Sequence, residues 1–173
     1  AWDTESLDLL SAHIETQETL PESLLKALLD GRFFQSGMQS LRQIEFALFD
    51  LSIHKAAPAL KANQIQATLN QIRAQYAVLE TTSYNRFQHS FSHIFAGGYA
   101  AGYYSYKWAE VLASDAFDRF ENEGIFNTAT GKEFRQFILA VGGKDTALDA
   151  FINFRGREPK IDALLRHQGW TNR

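Results

Sequence analysis

The residues best suited to chemistry lie in one stretch of the chain. His89 and His93 are four apart, the spacing of two metal ligands on one face of a helix. A zincin pair also needs a Glu directly after its first His, to serve as general base, and Ser90 stands there. His13, His54 and His167 are followed by Ile, Lys and Gln, so no such box exists anywhere in the chain. Tyr99, Tyr103 and Tyr106 follow at i, i+4 and i+7. On a helix they would share a face and align phenol hydroxyls able to donate to a developing oxyanion. Aromatics at that spacing are also ordinary core. However, burying the hydroxyls of four Tyr between positions 99 and 106 is costly unless each finds a partner, which moves some of them toward a wet surface or cleft.

Two further candidates are weaker. Thr130-Gly131-Lys132 looks like the tail of a phosphate loop, but Phe126 occupies the place of its first Gly and Glu133 follows the Lys. A nucleotide site is therefore rejected, and Thr130 is expected to cap a helix. Phe154-Arg155-Gly156-Arg157-Glu158-Pro159 sets two guanidinium groups around a Gly. They suit a carboxylate clamp, as for a peptide C-terminus, or a solvated turn with Glu158 as local partner.

These groups must be positioned by helices, because no strand-type alternation is sustained. Asp3 or Thr4 starts a first helix carrying Leu7, Leu9, Leu10 and Ile14. Thr19 and Pro21 open a second, which Gly31 stops. A long third runs from Phe33 to about Lys55, with Pro58 beyond its end. A fourth starts at Asn63. After a break at Thr81 to Asn85, another is expected from Ala100 to Glu121, ended by Gly124. Three short ones close the chain: Thr130 to Val141, Asp145 to Arg155 and Pro159 to His167. There is no internal repeat and no low-complexity tract. The expected fold is all-α, with residues 1–173 a single helical piece.

Composition removes several functions. The 17 basic and 20 acidic residues give a net charge of −3, without the basic stripe of a nucleic-acid binder. With no Cys, disulfides, thiol nucleophiles and Cys-type zinc sites are excluded, and a reducing cytoplasm is allowed. Positions 87 to 106 carry no Asp, Glu, Lys or Arg, which is long enough for a membrane span. Gln88, His89, Ser90, Ser92, His93 and Ser105 argue against one, so the run reads as buried or cleft-lining, with a pliant backbone at Gly97-Gly98.

The segment Phe91-Ser92-His93-Ile94-Phe95-Ala96-Gly97-Gly98-Tyr99-Ala100-Ala101-Gly102-Tyr103-Tyr104-Ser105-Tyr106 closely resembles the C-terminal part of the thimet oligopeptidase family of zinc metallopeptidases. The resemblance is strongest to the family's bacterial oligopeptidases, with the peptidyl-dipeptidases as near relatives. It extends along the chain through Leu41-Arg42-Gln43-Ile44-Glu45-Phe46, Leu48-Phe49-Asp50, Asp115-Ala116-Phe117, Glu123-Gly124-Ile125-Phe126 and the 154–159 hexamer.

The resemblance implies a two-lobed, almost wholly helical enzyme that cleaves short peptides with one zinc. Its HExxH box and downstream Glu ligand would precede Ala1, so this chain would bind no catalytic zinc and be inactive alone. His93, Tyr99 and Tyr106 match positions that bind substrate and stabilise the tetrahedral oxyanion. Tyr103 matches a nearby tyrosine of some relatives, and Gly97 and Gly98 a glycine-rich loop that adjusts around the peptide. In the family, zinc polarises the carbonyl and activates water while phenol and imidazole donors meet the new charge. The implied setting is cytoplasmic, with short peptides as partners, no nucleic acid, no membrane, and self-association through helix faces left exposed. The alternative is a stand-alone helical protein that holds peptides on its Tyr-rich face without cleaving them.

Overall fold

A computed structural model describes residues 3–56 and 60–171, and among these there is no strand. The helices are α1 (Thr4–Leu10), α2 (Glu22–Gly31), α3 (Ser36–Lys55), α4 (Ala62–Tyr76), α5 (Ser92–Phe95), α6 (Ser105–Glu123), α7 (Thr128–Phe134), α8 (Ala147–Arg155) and α9 (Asp162–His167). A 3-10 turn covers Phe87–His89, and a π-helical turn, Arg135–Leu139, continues α7. Pro58, expected beyond the end of α3, lies outside the described residues. No described helix is long and apolar enough to cross a membrane.

The chain divides into two compact units, residues 35–109 and residues 1–34 with 110–173. In the 35–109 unit, α3 packs on α4. Phe46, Phe49, Leu69, Ile72, Phe91, Ile94 and Tyr103 form its buried core. Phe46 stacks on Phe87 with ring centroids 4.4 Å apart and meets Tyr103 edge-on at 5.9 Å. Such aromatic pairs contribute beyond their buried area. The buried Glu45 carboxylate accepts from Arg73 Nε at 2.9 Å, and Arg73 also donates to Asn85 Oδ1 at 3.0 Å. Asn85 in turn accepts from the Phe87 backbone N–H. This chain of bonds ties the break at Thr81–Asn85 to α4 and sets where the uncharged run begins.

In the other unit, Ala116, Phe151 and Phe154 are buried among Leu112, Phe120, Phe134, Phe137 and Ile138. Asp3 caps α1 by accepting from the Ser6 N–H, as expected. Thr130 does not cap α7. Asn127 does, accepting from the Ala129 and Thr130 backbone N–H groups, while Thr130 is buried and donates to Glu123 at 2.5 Å. The Asx side chain outcompetes Thr here because the tight turn after Gly124 (φ +108°) delivers it to the helix start.

Arg155 and Arg157 correct the sequence reading more sharply. Among the described residues the Glu158 side chain is not their partner; at Glu158, Arg157 donates only to the backbone oxygen. Both close on Asp115, which is 1% exposed. Arg157 donates from both terminal nitrogens at 2.7 and 2.6 Å, and Arg155 Nε donates at 3.1 Å. The Lys160 backbone N–H completes the set at 2.7 Å. Gly156 permits the fold-back with φ +70°, accessible to Gly at little cost. Arg155 also reaches Asp118, which pairs with Arg166. The carboxylate these arginines were suited to bind is thus in their own fold, 40 and 42 residues earlier in the chain.

Candidate active site

The site forms at one end of the 35–109 unit, where α5, a run of turns and the first turn of α6 follow one another. The expected helix from Ala100 does not start there; 100–104 are turns and α6 begins at Ser105. The cause is Asp50 on α3. Its Oδ1 accepts from the Ala101 N–H and its Oδ2 from the Tyr103 N–H, both at 2.9 Å. Ala101 sits at φ +55°, a left-handed conformation that costs a non-glycine residue roughly 1–2 kcal/mol and ends helical continuation. The shared helical face expected for the tyrosines is therefore not what aligns them.

They nevertheless converge. Tyr99 and Tyr106 stack with centroids 5.0 Å apart and planes 27° from parallel. Tyr103 lies 5.1 Å from Tyr106. The His93 ring on α5 is 6.2, 5.9 and 6.4 Å from Tyr99, Tyr103 and Tyr106 respectively. Exposure separates their roles. Tyr103 is buried, and its hydroxyl donates to Gln43 Oε1 at 2.9 Å. Its proton is thereby committed to the fold, and burial pushes its phenol above the ordinary range despite the opposing Arg42 charge. Tyr99 is half-buried, and His93 and Tyr106 are exposed. Tyr106 is also raised, chiefly by a hydrogen bond with Tyr99, then by desolvation and the neighbouring phenols.

Gly97 and Gly98 build the turn that brings Tyr99 back over His93. Ser92 O accepts from both Ala96 N and Gly97 N, and His93 O accepts from Tyr99 N at 3.0 Å. A Cβ at Gly97 would lie 2.9 Å from both the Cα and the carbonyl oxygen of His93, which are backbone atoms that cannot rotate away. Gly98 needs its glycine for another reason, a φ of +80° with open space around it. Gly97→Ala is expected to displace His93 and destabilise the protein by about 1–3 kcal/mol. A lowered Tm together with a shifted His93 imidazole resonance checks this; parental values for both contradict it.

His89 and His93 fall on separate short helices, and Phe95 and Tyr104 stand exposed nearby in the sequence. Among the described residues no group of three or more His, Asp or Glu is placed to hold a metal ion. The residues present do not fit a zinc centre. What they offer is a donor surface: one imidazole and two phenols. A cleft of about 740 Å³ in the same unit, lined by Gln66, Asn70, Arg73 and Arg86 among others, takes in none of them. Sequence reasoning missed Asp50, His54 and Gln43, the residues behind this surface. A signal was present for one of them: Asp50 follows Phe46 at i+4, an acid on the same face of a long helix as an aromatic.

Comparison with known proteins adds what geometry alone does not. The family model described as peptidase family M3 matches residues 1–170. The chain is 53% identical over 171 residues to oligopeptidase A of Haemophilus influenzae and 51% identical over 168 residues to oligopeptidase A of Escherichia coli. It is 47% identical over 169 residues to the probable cytosolic oligopeptidase A of Arabidopsis thaliana. These matches take in 99%, 97% and 95% of this chain but only 25%, 25% and 24% of the relatives. The chain spans about a quarter of the length of the curated relatives it matches.

Proposed function

The chain belongs to peptidase family M3, and on that footing we propose that it forms the C-terminal helical portion of a zinc-dependent oligopeptidase that hydrolyses short peptides in the cytoplasm. Residues 1–173 are taken as one portion of the catalytic domain. The observation that carries the reading is the convergence of His93, Tyr99 and Tyr106 on one donor surface, with Tyr99 and Tyr106 stacked at 5.0 Å. The zinc that the family implies would be held by residues outside this chain.

In this reading Tyr106 and His93 donate hydrogen bonds to the scissile carbonyl oxygen as it gains charge, and Tyr99 orients the Tyr106 hydroxyl and the peptide. Preorganised donors act because they need not reorient as charge develops. Tyr103, with its proton held by Gln43, supports the other rings and lines the peptide's path. Gly97 and Gly98 shape the turn around the peptide. Neither nucleic acid nor membrane is a partner. Alone, the chain is expected to self-associate through exposed apolar residues such as Leu24, Phe34 and Leu139.

The test compares zinc content and oligopeptide hydrolysis of this chain with those of the complete gene product. The complete product is expected to carry zinc and cleave; this chain is expected to do neither. Stoichiometric zinc or turnover in the chain by itself would overturn the reading.

A further inference from the structure

We propose that Asp50 is the positioning residue of the donor surface, acting through the turn that carries Tyr99, Tyr103 and Tyr106; this rests on the peptidase reading above. Asp50 has no exposed surface. A buried carboxylate is tolerated only when its oxygens are met by donors, and here three are in place. Two are the backbone N–H groups of Ala101 and Tyr103, at 2.9 Å each. The third is His54, one turn along α3, whose Nδ1 lies 2.7 Å from Oδ1 and 2.9 Å from the Asp50 carbonyl oxygen. Both of these neighbours are acceptors, so Nδ1 must carry the proton.

The two backbone bonds do different work. The bond at Ala101 holds a non-glycine residue in the left-handed conformation, which reverses the chain between Tyr99 and Tyr103. The bond at Tyr103 fixes the backbone from which its ring meets Tyr106 at 5.1 Å and its hydroxyl reaches Gln43. One rigid carboxylate, set on a 20-residue helix, thus sets the spacing of the phenols around His93. A bare hydrophobic core would bury this turn without choosing among its conformations.

The test is a kinetic double-mutant cycle in the complete enzyme. Asp50→Asn turns one acceptor into a donor that faces a backbone N–H. It is expected to lower kcat by about 100-fold, the cost of roughly 1 Å of misplacement, with KM changed by less than about threefold. The decisive arm is Asp50→Asn with Tyr106→Phe. If Asp50 acts through Tyr106, the double variant is no slower than the slower single one; a residue that merely holds the fold together would make the two losses multiply.

If Asp50→Asn does not fold, His54→Leu carries the test, since the His54 side chain is 27% exposed. Its expected loss is roughly three- to tenfold in kcat, the equivalent of one net hydrogen bond, and it should vanish in the Tyr106→Phe background. Multiplicative losses, or parental kcat in both Asp50→Asn and His54→Leu, overturn the positioning role while leaving the peptidase reading standing. Parental kcat in Tyr106→Phe removes Tyr106 from the donor role, and the role of Asp50 with it; a complete product without zinc or turnover is what overturns the peptidase reading.

Discussion

Replacing Tyr106 with Phe in the complete enzyme lowers kcat by at least tenfold, and by as much as the roughly 100- to 1000-fold typical of losing one oxyanion donor. The ring stays, so the 5.0 Å stack on Tyr99 and the packing on Tyr103 are kept, and only the hydroxyl is removed. KM should hardly move, because the proposed role has the hydroxyl meet a charge that exists in the transition state and not in the bound peptide. The same geometry fixes a pH signature. The hydrogen bond with Tyr99, with desolvation and the nearby phenols, raises the Tyr106 phenol above its ordinary 10.0. It is therefore a protonated donor throughout the neutral range, and any loss of activity from its ionisation falls above pH 10. In Tyr99→Phe that limb moves back down toward the ordinary value. Steady-state kinetics across pH on the three proteins measures all of this, and parental turnover in Tyr106→Phe would remove Tyr106 from the role.

Asp115→Ala is the substitution expected to damage the fold most. It strips a 1% exposed carboxylate from Arg155, which is 9% exposed, and from Arg157. Breaking one side of a buried ion pair costs about 3–5 kcal/mol, a large share of a total stability of about 5–15 kcal/mol. Arg166→Ala removes a more exposed partner of Asp118 and should cost far less. The pH dependence has a definite sign. Burial pushes the Asp115 carboxyl up, but the hydrogen bonds from Arg157 and the Lys160 N–H, with the charges of Arg157 and Arg155, outweigh it and hold the carboxyl below its ordinary 3.8. A depressed folded value means that the stabilisation is fully present above the unfolded value near 3.8 and is lost as pH falls through the folded one. Denaturant midpoints measured from neutral pH down past pH 4 should therefore fall in the parent and fall less in Asp115→Ala. A variant with the parent's midpoint at neutral pH would show that the network stabilises nothing.

The legible part of this chain was what local chemistry decides. Pro21 before α2, Asp3 at the start of α1, Gly124 after α6 and Gly156 after α8 each act within a few residues, and the helices stop or start where they stand. His93, Tyr99 and Tyr106 stood out as candidates from residue type and from resemblance, and the structure brings their rings together. What could not be read was every decision made by a distant side chain. Asp50 delays α6 to Ser105 by accepting two N–H groups from a turn some fifty residues downstream. Asp115 draws Arg155 and Arg157 inward from a hexamer that by itself looks like an open turn. In both cases a buried carboxylate chose its partners by three-dimensional fit, and sequence spacing carries no trace of that choice. The tyrosines show the limit from the other side. Their i, i+4, i+7 spacing suggested a helical face, and they meet instead because a left-handed Ala101 and a two-glycine turn fold them together.

The most direct test is a structure of the complete enzyme with a phosphinic peptide, whose tetrahedral phosphinyl oxygens stand in for the oxyanion. The Tyr106 hydroxyl or the His93 imidazole should donate to a phosphinyl oxygen at about 2.7–3.1 Å, with Tyr99 alongside the peptide. A phosphinic peptide bound with its phosphinyl oxygens well beyond hydrogen-bond reach of both residues would contradict the assignment of this surface to catalysis.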